Sequence, residues 1–405
     1  MTEIIQIIKC EVCGNSELVP VLDLGVHPLC DDLKPVGSRQ PCNTYPIHIL
    51  YCKICDTAHQ GYQVPKHDLF PATYHYRARF TADVLSGMDS LVESIETRVG
   101  VLKGLTVLDV GCNDGSLLDR FSAKGARTVG IEPTGAYADA EGRGHLIIND
   151  YFSELTSEKI LELHSRVDII TFTNVFAHIE NLPALLKALA LLMNEDTLII
   201  IENHYLGAVL DRNQFDTFYH EHPRTYSLNS LLHIAKVLGR DVVDVQFPKR
   251  YGGNIRVEIG KIGAGSHEAN KRINDTLQHE LGFFEQFARI RSFVDTWRSQ
   301  KKTEIQQLVS TNGKLLAKAF PGRAAILVAM LGLSENEVEC VYEKPGSLKI
   351  GHYVPGTRIP IRSDKELIPC LAETEVLFNL AWHIPDEIEQ YLRSHGFNGR
   401  IVHVV

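Results

Sequence analysis

Four consecutive residues with titratable or hydroxyl side chains, Tyr219, His220, Glu221 and His222, stand in the stretch QFDTFYHEHPRTYSL and are followed by Arg224 and Tyr226. A histidine that ionises near ~6.5 can take a proton at neutral pH, and an adjacent carboxylate can orient it or stabilise its charged form. The block therefore reads as general acid/base machinery for a carbon or heteroatom acid. Two alternatives stand beside that reading. The H-x-H pair could ligate a metal, although no third His or carboxylate follows at helical or strand spacing, and the block could be an exposed polar loop. A second set of residues points to a different chemistry. Cys10/Cys13 (KCEVCGN) and Cys52/Cys55 (YCKICDT) form two C-x-x-C knuckles, each able to aim two thiolates at one ion. Together they supply a closed all-sulfur tetrahedron that suits a structural zinc, because no position is left open for a substrate. A redox C-x-x-C would need a βαβ context that is missing here. The long gap between the knuckles, with Pro28, Cys30, Pro41 and Cys42, must loop out.

These groups need a scaffold, and the stretch Val107 to Glu132, VLDVGCNDGSLLDRFSAKGARTVGIE, provides its signature. Val107, Leu108 and Val110 read as a short buried parallel strand, Gly111 and Gly115 as a tight turn beside a ligand, and Ser116 onward as a helix. A second strand, Thr128 to Ile131, ends in Glu132, where a carboxylate can hold two ribose hydroxyls. The turn, DVGCNDG, lacks the G-x-G-x-x-G of a dinucleotide site and carries Asp109 and Asp114, which repel a pyrophosphate. They suit a cationic ligand without phosphates, such as S-adenosylmethionine, and the stretch resembles motif I of class I methyltransferases. Further along, VDIITFTNVFAHI predicts a buried strand Val167 to Thr173 followed by a polar turn, Asn174 to His178. Open α/β sheets bind ligands beyond the carboxyl ends of their strands, which places Asn174, Phe176 and His178 near the transferable group. Another strand, Thr197 to Ile201, runs into Glu202, Asn203 and His204.

With 405 residues, 44% of them hydrophobic, the chain has core material for two or three domains. Its net charge of −9 without a basic run argues against nucleic acid or an anionic membrane as partner. The N-terminus has no signal-peptide pattern, and no segment approaches the ~18 apolar residues of a membrane span. A cytoplasmic protein is expected, with its cysteines reduced or metal-bound. Between Asp68 and Phe80 lies DLFPATYHYRARF. Tyr74, His75 and Tyr76, with Arg77 and Arg79, either cover a polar ligand or form a surface strand of a linker. Thr81 to Val99 reads as an amphipathic helix.

The order of two CxxC knuckles, LDVGCNDGSLL, GIEPTG, TFTNVFAHI, QFDTFYHEHPRTYSL, RYGGNIRVEIG and a late GHYVPGTRIPI resembles the three-domain sugar C-methyltransferases of bacterial deoxysugar pathways, over nearly the whole chain. The resemblance implies an α/β fold: a class I methyltransferase Rossmann-like core (71–260) between an N-terminal zinc-binding module (1–70) and a C-terminal α/β substrate domain (261–405). It implies methyl transfer from S-adenosylmethionine to C3 of a nucleotide-diphosphate 4-keto-6-deoxyhexose through an enolate, in an enzyme expected to be a monomer. Carried over by motif, His222 is the base and Glu221 its partner, while Tyr219, His178 and Tyr76 position the ketone or stabilise the enolate. Asp109, Gly111, Cys112, Asp114, Glu132 and Asn174 hold the cofactor. One departure stands out. Where the family has a Gly-rich turn, G-Y-G-A-x-x-K-G, the chain reads AFPGRAAILVAMLGL, with Gly322 alone in the turn and Arg323 in place of the lysine.

Strand and helix alternation predicts strands Ala325 to Met330, Val338 to Glu343 and Val376 to Leu380 in the C-terminal part, after a helical linker from His267 to Lys318. Two other functions fit the residues less fully. One is an O- or N-methyltransferase on a sugar nucleotide or other small metabolite, which needs no enolate stabiliser. The other is a zinc-stabilised sugar-nucleotide binding protein.

Overall fold

Five residues buried along their whole length, Thr106–Val110 (β1), form an interior strand of a seven-stranded sheet. The computed structural model describes residues 4–70, 77–80, 82–164, 166–249 and 252–405, so Tyr74, His75 and Tyr76 lie outside the described residues. The other strands of this sheet are Arg127–Ile131 (β2), Leu146–Ile148 (β3), Ile169–Thr173 (β4), Leu198–His204 (β5), Asp241–Gln246 (β6) and Asn254–Gly260 (β7). Their spatial order is β3-β2-β1-β4-β5-β7-β6, with β1 to β5 parallel and β7 antiparallel to both of its neighbours. The strand order turns back between β1 and β4, so the crevice beyond their carboxyl ends is where a ligand belongs. This is the Rossmann-like core expected from the strand, turn and helix at Val107 to Glu132.

A helix, Ala82–Val99 (α1), covers one face. Val84, Met88, Leu91, Val92 and Ile95 recur at three- and four-residue steps and pack on Val107, Ile169, Leu198 and Ile200. Each fully buried side chain of this size stabilises by about 1.5–3 kcal/mol. The helix Ser116–Ala123 (α2) returns from β1 to β2. It starts at Gly115, whose φ of 77° leaves the turn in the left-handed region.

The chain divides into two units. The first comprises Met1–Val21, Leu50–Arg212 and Glu221–Gln286; the second comprises Leu22–Ile49, Asn213–His220 and Phe287–Val405. The segment expected to loop out between the knuckles thus belongs mostly to the second unit. That unit contains a parallel sheet of Leu315–Lys318 (β8), Val338–Glu343 (β9), Ile361–Ser363 (β10), Val376–Asn379 (β11) and Arg400–His403 (β12), in the order β10-β9-β8-β11-β12.

Two sequence expectations are corrected here. Ala325 to Met330 is not a strand but part of a helix, Ala324–Leu331 (α3). The run AAILVAML is buried at almost every position, and an apolar run without periodicity does not distinguish a buried strand from a buried helix. The linker is not one helix to Lys318: it is His267–Glu280 and Phe283–Asn312, ended by Gly313 at φ 75°, and Lys318 closes strand β8. Among the described residues no helix is long and apolar enough to cross a membrane.

Candidate active site

The knuckles come together as their spacing requires. Cys10 Sγ lies 3.4 Å from Cys55 Sγ and Cys13 Sγ 3.5 Å from Cys52 Sγ, and all four sulfurs fall within 4.8 Å of one another. Four sulfurs at about 2.3 Å from a tetrahedral zinc stand about 3.8 Å apart, so the set fits the ion. Each knuckle closes through a left-handed residue, Gly14 (φ 79°) and Asp56 (φ 54°). Outer polar groups surround the sulfurs: the Asn15 amide donates to Cys52 Sγ at 3.6 Å, while Thr57 Oγ1 stands 3.0 Å from Cys55 Sγ and His59 Nε2 3.3 Å from Cys10 Sγ.

The same module holds the acid/base block. Its strand Thr57–Gln60 pairs antiparallel with Arg224–Thr225, and Gln60 N–H donates to the Pro223 carbonyl at 2.9 Å, directly after His222. Ser227 and Ser230 cap the next helix, Leu228–Val237, and both hydroxyls donate to the Cys55 carbonyl, at 3.3 and 3.1 Å. The block is not an exposed loop, since His220, Glu221 and His222 are 3–5% exposed.

At the carboxyl edge of the central sheet the His178 and His222 rings meet edge-to-face with centroids 4.9 Å apart. The His204 ring lies 5.1 Å from His222 on another side. His204 is the third histidine missing from the sequence reading. It ends β5, on the sheet face shared by Asp109, Thr171 and Glu202, and strand alternation from Glu202 was the signal that could have found it. Among the described residues only the four thiolates gather closely enough to hold a metal, so the histidines do not form a metal set. The backbone of Glu221 and of Asn174 hydrogen-bonds the His178 ring, Phe70 packs edge-on against it at 5.3 Å, and burial lowers its pKa to about 4. His178 is therefore neutral at physiological pH, a group that donates or accepts without carrying charge.

Around this edge several buried polar atoms have no hydrogen-bond partner among the described residues: His178 Nδ1, Thr173 Oγ1, both amide atoms of Asn203 and Asn254 Oδ1. Buried polar groups are normally satisfied, so their collection at one strand edge marks a place built for a polar ligand.

The turn after β1 has the shape of a nucleoside cradle. Gly111 has φ 70°, and a Cβ there would stand 2.5 Å from the Val175 side chain. Asp109 is buried and accepts from Thr171 Oγ1 at 2.7 Å; burial, with Glu132 nearby, raises its pKa to about 7. Glu132 accepts from Thr134 N–H (2.8 Å) and Thr134 Oγ1 (2.6 Å) on Oε1 and from Asn113 N–H (2.9 Å) on Oε2, which leaves one acceptor position on Oε2. Burial also raises its pKa. Asp114 accepts from Ser116 N–H and Oγ (3.2 and 2.6 Å) and from Arg79 N–H at 3.0 Å, so its carboxylate is engaged at the start of α2. Cys112 packs its thiol with Leu118, Ala140 and Ile147, and burial pushes the thiol pKa far up.

Asn174 sits at φ 54°. Its N–H donates to the Glu202 carbonyl and its Oδ1 accepts from Asn254 at 3.1 Å, beside the buried Arg256–Glu202 ion pair (2.7 Å). Phe176 is fully buried between Phe172 (5.3 Å) and Tyr226 (5.5 Å). It braces the turn rather than lining an opening.

Tyr219 and His220 belong to the second unit, whereas Glu221 and His222 belong to the first. The His220 ring bonds the Tyr45 carbonyl at 3.0 Å, and burial lowers its pKa to about 4. In the same unit Arg323, the residue at the departing turn, has Nε 3.3 Å from Asp216, donates to Thr217 at 3.0 Å and faces Trp382 at 5.7 Å. Its guanidinium is already matched to a carboxylate.

Comparison with known proteins identifies three consecutive regions. Residues 10–70 match a family model described as "Putative zinc binding domain", 78–245 one described as "Methyltransferase domain", and 249–405 one described as "C-methyltransferase C-terminal domain". The C-methyltransferase NovU of Streptomyces niveus is 30% identical over 400 residues, spanning 96% of this chain and 94% of its own. A ubiquinone biosynthesis O-methyltransferase of Rhodopseudomonas palustris (strain BisB5) is 32% identical over 116 residues, 28% of this chain and 42% of that protein. Among solved structures, the magnesium protoporphyrin IX methyltransferase of Synechocystis PCC 6803 with bound SAH aligns with TM-score 0.35 and 18% identity, covering 44% of this chain and 83% of its own. With its four-thiolate site and its Rossmann-like core, the chain belongs to the three-domain S-adenosylmethionine-dependent C-methyltransferases.

Proposed function

We propose that the enzyme methylates C3 of a nucleotide-diphosphate-linked 4-keto-6-deoxyhexose by way of an enolate, with His222 as general base. The observation that carries this reading is the packing of His178, His204 and His222 at the carboxyl edge of the sheet, in a chain similar over its full length to a C-methyltransferase. A carbon is not nucleophilic until a proton is removed. A C-methyltransferase therefore needs a base and a stabiliser for the developing oxyanion, which simple transfer to a heteroatom does not.

In the proposed reaction His222 takes the C3 proton and the electron pair of the C–H bond moves into the enolate. Glu221 steadies the resulting imidazolium. His178, Tyr219 and Tyr76, the last outside the described residues, are assigned by motif to positioning the ketone or stabilising the enolate. S-adenosylmethionine supplies an electrophilic methyl group when bound, and Asp109, Gly111, Cys112, Asp114, Glu132, Asn174 and Phe176 form or brace its pocket. Support for an uncharged His178 comes from its burial and its lowered pKa.

The test is incubation of nucleotide 4-keto sugars in deuterated water with and without cofactor, read by mass spectrometry. The proposal expects deuterium at C3 without cofactor and a gain of one methyl with it. His222→Asn should lose both while still binding S-adenosylhomocysteine. Methyl gain without any C3 exchange in the wild type points instead to an O- or N-methyltransferase.

A further inference from the structure

We propose that Arg224, with Glu11 as its counter-ion, is the positioning residue that sets His178 against His222. The proposal rests on the reading of those two histidines as working groups in methyl transfer. Arg224 is 0% exposed, a whole guanidinium withdrawn from water. Its donors reach groups from separate parts of the chain. Nε donates to the Tyr226 hydroxyl at 2.8 Å, Nη1 to the Glu180 carbonyl at 3.0 Å and to the Glu11 carboxylate, and Nη2 to the Ile179 carbonyl. Ile179 and Glu180 directly follow His178, Arg224 stands two residues after His222, and Glu11 lies between the zinc ligands Cys10 and Cys13.

The local structure explains why such a clamp is needed. His178 ends a three-residue 3₁₀ turn, Phe176–His178, and His222 precedes a two-residue strand, Arg224–Thr225. Neither element is long enough to fix a side chain by its own backbone ladder. A planar guanidinium with donors in fixed directions aligns both segments at once, which a lysine, a point charge on a flexible stem, cannot reproduce. Glu11 is itself held, accepting from Gln63 Nε2 at 2.8 Å, and the Glu180 carboxylate accepts from Lys66 N–H at 3.1 Å. The clamp is thereby anchored on the zinc module. Burying an ion pair is a weak route to stability compared with apolar packing of similar volume. What this pair adds is geometry, and displacement of a catalytic group by about 1 Å can cost a hundredfold in rate.

The experiment uses full-length, zinc-loaded protein and four variants: Glu11→Gln, Arg224→Lys, the double Glu11→Gln/Arg224→Lys and Tyr226→Phe. Zinc per chain, S-adenosylhomocysteine affinity by calorimetry, kcat and KM with a nucleotide 4-keto sugar, and C3 deuterium exchange are measured, with rates expressed per S-adenosylhomocysteine site so that misfolded protein does not count. Glu11→Gln and Arg224→Lys should keep zinc, cofactor affinity and KM within about threefold while kcat and exchange fall by about tenfold to a hundredfold. The double variant should be no worse than its worse single, because the two residues act as one clamp, and Tyr226→Phe should lose less. Rates within twofold of wild type in both single variants would overturn the proposal. So would parallel losses of cofactor affinity and rate, which mark a general scaffold residue. His222→Asn run alongside separates the two readings: if it keeps C3 exchange, the base assignment has failed, and the placement of His222 has no catalytic meaning.

Discussion

Asp109→Asn should stabilise the ligand-free protein while weakening its hold on cofactor, and the two effects should part with pH. Asp109 is 3% exposed and accepts a hydrogen bond from Thr171 Oγ1 at 2.7 Å. Burial raises its pKa from 3.8 to about 7. The folded pKa lies above the unfolded one, so between about pH 4 and pH 7 the native state binds more protons than the unfolded chain. Stability contributed by this group is therefore fully present below pH 4 and is lost as pH rises to 7. At about 1.4 kcal/mol per pH unit over roughly three units, the penalty at pH 8 approaches about 4 kcal/mol as an upper bound. An asparagine carries no such charge, and its Oδ1 can still accept from Thr171. Denaturant unfolding of apo protein at pH 4.5, 6 and 8 should show variant and wild type nearly equal at the lowest pH. At pH 8 the variant should be more stable by about 2–4 kcal/mol. Calorimetry with S-adenosylmethionine at pH 8 should show the opposite order, with affinity down by about 1.5–3 kcal/mol, the worth of a hydrogen bond to a charged group. A variant that is less stable at pH 8, or a difference that does not change with pH, would refute the claim that Asp109 is a buried carboxyl held for a cationic ligand.

Further expectations concern the metal, the ribose and the second unit. About one zinc per chain should copurify and resist mild chelation, and elemental analysis of Cys52→Ser should show most of it lost. Glu132→Ala removes one open acceptor position and three internal bonds, so S-adenosylmethionine affinity should fall by about 1.5–3 kcal/mol; calorimetry showing no change would mean that the carboxylate serves only Thr134 and Asn113. Lys318 and Asp364 form a pair 1% and 0% exposed with contacts of 2.8 and 2.6 Å, so Asp364→Ala should leave a buried cation and cost about 3–5 kcal/mol, whereas Lys318→Met with Asp364→Leu should be far milder in the same unfolding assay.

The parts legible in the sequence were those whose evidence is local. A C-x-x-C knuckle contains half a metal site within four residues, and the change from a buried strand to Gly111, Gly115 and a helix announces its turn in one short stretch. Non-local placement was less accessible. His178 and His222 were each found as candidates, but their contact depends on a parallel sheet and a zinc-module strand from distant parts of the chain. His204 was named at the end of its strand but not among the site residues, because a lone histidine there is commonly only a loop residue; its alternation with Glu202 was the usable signal. Glu11 was hidden between two cysteines, and Arg224 was read as part of the acid/base loop. Spacing placed Glu132 at the end of its strand but gave no sign that three internal donors already occupy its carboxylate. The helix Ala324–Leu331 was misjudged for a different reason: burial on all sides erases the periodicity by which helices are recognised.

The division of labour along the chain follows from what carbon methylation demands. Cofactor binding needs a rigid backbone turn, which β1, α2 and β2 supply from their own hydrogen bonds. A base for a carbon acid needs something different: a side chain held within a fraction of an ångström at a segment that must also leave room for substrate, and such a segment cannot be a long regular element. The chain meets this requirement from outside the Rossmann-like core. The strand Thr57–Gln60, two residues beyond the last zinc ligand, pairs with the residues after His222, and the Cys55 carbonyl accepts from the capping serines of the next helix. Metal ligation lends rigidity to a segment with little apolar pattern of its own, and the Glu11–Arg224 pair passes that rigidity to the loop of His178. The zinc, although closed to substrate, is connected to the loop of His178 through Glu11 and Arg224, and its role is to make an irregular loop behave as a rigid element.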